Sequence, residues 1–199
     1  IVWDVLNELG FSKGDYFTRI SNRKILSGLI QAVKLADEAV LGNLELLVFR
    51  AIDKLDRLGL EGVKSLLGKG RTDNSGDFTE GANLSIGQID TIISFLKIKN
   101  NDPFKTLEEM EDLIGDSPIG QEGLSELRNI TDTLLSKGKS DLSFKIDPSV
   151  VRGLAYYTGP VFETELATPT KSLGSISGGG RYDDLVSRFT GQKVPSTGV

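Results

Sequence analysis

Apolar positions switch between two periods along the chain. Over residues 1–9, Val2, Val5, Leu6 and Leu9 recur at helical spacing, and Gly10 fits the position just past a helix end. Phe17-Thr18-Arg19-Ile20 alternates and predicts a strand. Ser21-Asn22 supplies capping side chains for a helix opening near Arg23, with a stripe of Ile25, Leu26, Leu29, Ile30 and Val33. From about residue 43 to residue 137 alternation nearly vanishes. Asn43 is placed to cap a helix carrying Leu44, Leu47, Val48, Ile52 and Leu55 and ended by Gly59, and a short helix follows from Val63 to Leu67. The run 68–81 is rich in turn residues and predicts a loop. Ser85-x-x-Gln88 is a capping box, and Asp102-Pro103, Thr106-x-x-Glu109 and Ser117-Pro118 signal further helix starts. Period two returns at Leu142, Phe144 and Ile146, stopped by Pro148. Leu154 to Glu165 and Leu173 to Ser177 predict two more strands, joined by a turn at Thr168-Pro169-Thr170. Asp183 to Phe189 predicts a final helix closed by Gly191.

This order predicts an α+β chain. Two strand-bearing core segments, 1–42 and 138–199, flank an all-helical insertion over 43–137.

Composition narrows the chemistry. The chain has 199 residues, 38% apolar and 26% charged, as in a soluble globular protein, and no apolar run long enough to span a membrane. It contains no cysteine and no histidine. Disulfides, thiolate nucleophiles, Ser–His triads, His-based acid–base catalysis and most zinc sites are therefore excluded. Any catalysis must come from Arg, Lys, Tyr, Asp, Glu, backbone amides or the substrate itself. Net charge is −5, unevenly spread. Residues 50–71 hold six basic and three acidic groups, whereas residues 72–137 hold five and thirteen. A polyanion is expected to meet the former and avoid the latter, although a solvated helix face of mixed charge has the same composition. The first residue is not Met and lies within a periodic pattern, and Pro195 to Val199 lacks capping logic, so an internal fragment is expected.

Candidate chemistry gathers in two segments. In the first, Arg152 precedes Tyr156 and Tyr157. Its guanidinium is always charged and can grip a carboxylate or phosphate through two hydrogen bonds, though an arginine at a strand start serves equally in a structural salt bridge. On a regular strand Tyr156 and Tyr157 point to opposite faces, with Tyr157 sharing a face with Val161 and Glu163. Their hydroxyls need partners, from the core or from a heteroaromatic ligand. In the second segment, Gly178-Gly179-Gly180 permits a close backbone approach or a tight turn before Arg181-Tyr182-Asp183. It is neither a phosphate-binding loop with a following Gly-Lys-Ser/Thr nor a dinucleotide fingerprint. Asp73-x-Ser75-x-Asp77 is half of a calcium loop with its glycine misplaced and its distal acid missing, and reads as a turn. The sequons at Asn83 and Asn129 carry meaning only in a secretory context.

Taken together, Arg152-Gly153-Leu154-Ala155-Tyr156-Tyr157-Thr158-Gly159, then Val161-Phe162-Glu163, then Gly179-Gly180-Arg181-Tyr182-Asp183, resemble the paired signature motifs of histidyl-tRNA synthetases. Residues Ile20 to Leu26 resemble the strand-to-helix element before that family's insertion, and Ala51 to Asp56 the start of the insertion. The resemblance implies part of a class II synthetase core, an antiparallel sheet flanked by helices. It implies activation of histidine with ATP and Mg2+ to an adenylate, followed by transfer to tRNA(His), in a cytoplasmic homodimer. Arg152 matches the arginine that contacts the substrate carboxylate and α-phosphate. Tyr156, Tyr157 and Tyr182 match residues of the histidine pocket beside Gly178, Gly179 and Gly180, and Ala155 stands where an acidic residue is commoner. Lys54, Arg57 and Lys64 in the basic segment are the candidate tRNA contacts. No metal ligand is assigned.

This chemistry suits a chain without histidine, since the attacking carboxylate is already ionised and needs positioning and positive charge rather than a base. No Phe-Arg-x-Glu-like ATP-binding segment, closing glycine-rich arginine motif or anticodon-reading domain is found in the 199 residues, so little or no activity is expected of them alone. Two other implications are a histidine-binding regulatory paralogue of histidine biosynthesis and a synthetase-like tRNA-sensing domain. The former generally lacks the helical insertion and erodes the arginine–tyrosine motif, and both features are intact here.

Overall fold

The first apolar stripe forms α1 (Val2–Glu8), which ends at Leu9 with Gly10 following at φ 91°. The computed structural model describes residues 1–33, 38–139, 143–153, 156–167, 174–192 and 194–199, with 38–42 described by backbone alone. Strand β1 (Tyr16–Asn22) runs directly into α2 (Arg23–Ala32), because the Asn22 side chain accepts from Lys24 N at the helix start. The helices α3 (Glu38–Ile52) and α4 (Leu55–Leu67) follow. Asn43 lies inside α3 rather than capping it. Gly59, at φ 65° and ψ 179°, breaks α4 internally.

The run 68–81 is not a plain loop. It forms a hairpin, β2 (Gly70–Thr72) with β3 (Phe78–Glu80), so the span 43–137 is not all-helical. Three-residue strands are too short to show alternation in sequence. Asp73 Oδ1 closes the turn by accepting from Ser75 N, Ser75 Oγ and Asp77 N, which accounts for the Asp73-x-Ser75-x-Asp77 spacing. Next come α5 (Ile86–Leu96), α6 (Pro103–Ile114) and α7 (Pro118–Ser136), capped by Ser85, Asp102 and Ser117. The Ser85–Gln88 capping box is complete, whereas Thr106 is buried within α6 and starts nothing.

The chain then returns through β4 (Phe144–Ile146), β5 (Pro160–Leu166), β6 (Ser175–Arg181), α8 (Asp183–Thr190) and β7 (Thr197–Gly198). Leu142, Leu154, Leu173 and the turn at 168–170 lie outside the described residues. The sheet order is β4-β1-β5-β6-β7. Among the described residues all its pairings are antiparallel except β1–β4, which is parallel, so the sheet is mixed within an α+β architecture. The physical reason is the long excursion between β1 and β4, which gives the chain enough length to re-enter from the same end.

One apolar cluster joins Ile20 of β1 and Leu26 and Leu29 of α2 to Ile92, Met110, Leu124 and Leu127 of the helical span. The contact of α2 with α7 is backbone-close, since a Cβ on Gly28 would lie 2.5 Å from Gly120 Cα and one on Gly123 would lie 2.8 Å from Ile25 Cγ1. Among the described residues no helix is long and apolar enough to cross a membrane.

Candidate active site on the charged face of the sheet

Pleating separates two faces of the sheet. Thr18, Ile20, Phe162 and Thr164 share one face, on which the Trp3 indole donates to Thr18 Oγ1 at 2.8 Å. An apolar cleft of about 660 Å3 lies there against Ile130 and Leu134 of α7, but neither Arg152 nor any tyrosine lines it. The opposite face carries Arg19 paired with Glu163, Phe17 with Glu165 and Ser21 with Val161. Glu163 and Val161 in turn pair with Gly178 and Gly180 of β6. The candidate chemistry stands on this second face.

The tyrosine pair lies in an irregular turn, because β5 begins only at Pro160. Both Tyr156 N and Tyr157 N donate to Gly153 O. Their rings therefore do not point to opposite faces but meet, with centroids 4.3 Å apart at 45°. Tyr157 is buried against Val150, Val161 and Tyr182, and its ring centroid is 6.4 Å from that of Tyr182. Tyr156 is more exposed. Burial, then the Tyr156 hydroxyl, raises the Tyr157 titration well above that of an ordinary phenol, so Tyr157 stays a protonated donor.

The turn is anchored from β6 and α2. Thr158 N donates to Arg181 O, Arg23 N to Gly159 O, and Arg23 Nη1 to Tyr157 O at 3.1 Å. Arg181 Nε donates to Asp183 Oδ2 at 2.7 Å, and Ser196 N to Asp183 Oδ1 at 2.8 Å, which fixes the entrance of α8 beside Tyr182. Asp183 is partly buried, which opposes its charge, but these hydrogen bonds and the Arg181 charge prevail and hold its pKa below 3.8.

The three consecutive glycines do different things. A Cβ on Gly180 would lie 2.7 Å from Tyr157 Cδ1, and one on Gly179 would lie 2.4 Å from Gly198 O. Gly178 faces open space, with Phe162 O at 3.8 Å as the sole neighbour of such a Cβ among the described residues. The tyrosine ring thus needs Gly180, the sheet needs Gly179, and Gly178 leaves the floor beside Glu163 bare.

Arg152 stands over this floor with a side chain 60% exposed, and its Nε lies 2.9 Å from Glu163 Oε1. The approach is ionic rather than an aligned hydrogen bond, since Oε1 accepts none among the described residues. Glu163 Oε2 accepts from Arg19 Nη2 at 2.7 Å. Arg19 also pairs with Glu165 and with Asp147 at 3.6 Å. In the sequence Glu163 stands out as a face-mate of Tyr157 and as part of the Val161-Phe162-Glu163 motif, and Arg19 only as a strand residue. The available signal was an arginine in the middle of a strand whose neighbours pack.

The remaining assignments fall elsewhere or outside the described residues. Ala155 and Leu154 are among the latter. On α4, Lys54 is the residue before the helix, Arg57 is exposed, and Lys64 pairs with Asp90 of α5 at 3.5 Å. Among the described residues no group of three or more His, Cys, Asp or Glu could hold a metal. The three carboxylates of the charged face are already engaged by arginines.

The family model for histidyl-tRNA synthetase matches residues 15–199. The chain is 50% identical over 204 residues to the histidine–tRNA ligase of Dinoroseobacter shibae, covering 98% of this chain and 41% of that protein. It is also 50% identical over 202 residues to the histidine–tRNA ligase of Rhizobium meliloti, covering 98% and 40%. The crystal structure of histidyl-tRNA synthetase from Nostoc sp. PCC 7120 superimposes with a TM-score of 0.79 at 31% identity, over 98% of this chain and 41% of that one. A Bacillus halodurans structure described as an ATP phosphoribosyltransferase regulatory subunit/histidyl-tRNA synthetase shares the fold, with a TM-score of 0.68 at 23% identity over 98% and 44%. The chain spans about two fifths of the length of the curated relatives it matches. The family model, the identities of the relatives and the shared fold show that the chain belongs to the histidyl-tRNA synthetase family.

Proposed function

We propose that the protein carrying this chain is a histidine–tRNA ligase, which activates histidine with ATP and transfers it to tRNA(His). The observation that supports this most directly is the exposed Arg152 guanidinium beside Glu163, whose strand partner is the bare Gly178, on the sheet face that also carries Val161, against which Tyr157 packs. Arg152 is held by its Nε, so among the described residues its two Nη groups are free to receive an anion. In this reading they bind the histidine carboxylate and the α-phosphate as charge moves during in-line attack. In the same reading the Tyr157 hydroxyl, kept protonated by burial, donates to an imidazole nitrogen. The expected homodimer and cytoplasmic setting accompany this reading. Magnesium is expected of the whole enzyme, but the carboxylates of the charged face are engaged by arginines and do not fit a magnesium site.

The test is histidine-dependent ATP–pyrophosphate exchange by the full-length protein. Arg152→Ala is expected to lower kcat by on the order of a hundredfold or more, the loss typical of one electrostatic donor. Absence of exchange by the wild type would refute the assignment.

A further inference from the structure

Glu163 lies between two guanidinium groups, with its side chain only 4% exposed. Arg19 and Arg152 differ in how they are held. Arg19 is 14% exposed and spans Glu163, Glu165 and Asp147, whereas among the described residues Arg152 pairs with Glu163 alone, through Nε. Burial works against the Arg19 charge, and these three carboxylates with Asp56 more than offset it, so Arg19 remains a fixed cation. Other charge on this face comes from Lys145 on β4, which sits over the Phe17 ring at 5.2 Å.

We infer that Arg19 is a positioning residue for the reaction, neutralising Glu163 and its neighbours so that the Nη groups of Arg152 stay free for the substrate anion. This rests on the role given to Arg152 above. The reasoning is electrostatic. Without Arg19, Glu163 is left with Arg152 as its one ion-pair partner among the described residues. A carboxylate draws a guanidinium into a two-pronged pair when it can. A buried carboxylate left unpaired is costly, which strengthens that pull. Arg152 would then turn inward, spend an Nη group on Glu163 and lose effective charge at the site. Arg19 thus acts through Glu163 and does not itself touch substrate.

The test compares Arg19→Gln, Glu163→Gln and the double variant in the full-length enzyme. Arg19→Gln is expected to lower kcat for histidine-dependent exchange by roughly tenfold to a hundredfold while KM for histidine moves by less than about threefold. Adding Glu163→Gln to Arg19→Gln should recover most of that loss, because the charge that captured Arg152 is gone. A purely structural role for Arg19 predicts a kcat loss and recovery that follow the unfolding midpoint of each variant, whereas the inference predicts the loss in protein that is still fully folded at the assay temperature. Wild-type kcat in Arg19→Gln, or no recovery in the double variant, overturns the inference. If Arg19→Gln does not fold, Arg19→Met, which keeps an unbranched apolar stem without the charge, takes its place with the same two outcomes. A wild type without exchange refutes the proposed function instead, so the two failures are distinguishable.

Discussion

The Asn22 side-chain amide donates to Glu126 Oε2 at 2.6 Å, joining residues 104 apart in sequence. It also donates to Gly123 O at 3.3 Å, while its Oδ1 accepts from Lys24 N at 3.0 Å. Lys24 completes the junction by pairing with Glu122 and Glu126. One side chain therefore caps α2 and ties the strand to α7, next to the Arg23 contacts that hold the tyrosine turn. Asn22 is fully buried, so Asn22→Ala leaves partners without replacements. It should cost about 2–3 kcal/mol, the cap plus a buried hydrogen bond, read as a fall in the urea midpoint.

Gly180 and Gly178 lie two residues apart on the same face of β6 and should behave oppositely. Gly180→Ala drives a methyl toward the Tyr157 ring and to 2.7 Å from Pro160 O, where backbone cannot easily give. The expected loss is about 1–3 kcal/mol of stability with weaker histidine binding, measured by denaturant unfolding and by calorimetric titration of the full-length protein. Gly178→Ala should leave the unfolding midpoint nearly unchanged and alter ligand affinity alone, because its methyl enters open space.

The crossing of α2 on α7 depends on bare backbone. A methyl on Gly28 would stand 2.5 Å from Gly120 Cα and 2.9 Å from Gly120 N, so one helix must move. Gly28→Ala should destabilise by about 2 kcal/mol or more despite its better helix propensity, and a melting curve that rises would contradict this packing.

Acid should release the clamp at the start of α8. The Asp183 pKa is held below 3.8, so its contribution to stability is complete above 3.8 and is lost as pH falls through the lower folded value. Wild type is therefore expected to exceed Asp183→Asn in stability at neutral pH, with the gap closing in the acid range below 3.8. Unfolding midpoints of both proteins across that range supply the check. A gap independent of pH would mean that ionisation of Asp183 contributes nothing.

Changing Lys54, Arg57 and Lys64 together to Ala should weaken tRNA binding and reduce its salt dependence, as loss of phosphate contacts does. Arg57 is expected to contribute more than Lys64, which is already engaged with Asp90. A salt slope equal to that of wild type would remove this segment from the tRNA interface.

Much of the scaffold was legible locally. The Ser85–Gln88 box, Asp102-Pro103, Ser117-Pro118 and Gly191 each act within a turn of their own position, and each marks the helix end that the structure shows. The hairpin at 70–80 was not legible, because its strands are shorter than the pattern needed to detect them. The meeting of Tyr156 and Tyr157 was missed because parity assumed a strand that starts only at Pro160.

By itself the sequence determined the order of the longer elements and the exclusion of cysteine and histidine chemistry, which follow from composition and short-range spacing, while its resemblance to a family pointed to Arg152, Tyr157 and Tyr182. Tertiary structure decided which glycine serves which purpose, that Asn22 meets Glu126, and that Arg19 rather than Arg152 alone balances Glu163. The Asn22–Glu126 and Arg19–Glu163 pairs join residues 104 and 144 apart, and register between strands, which a single chain read in order does not contain, sets which charges face one another.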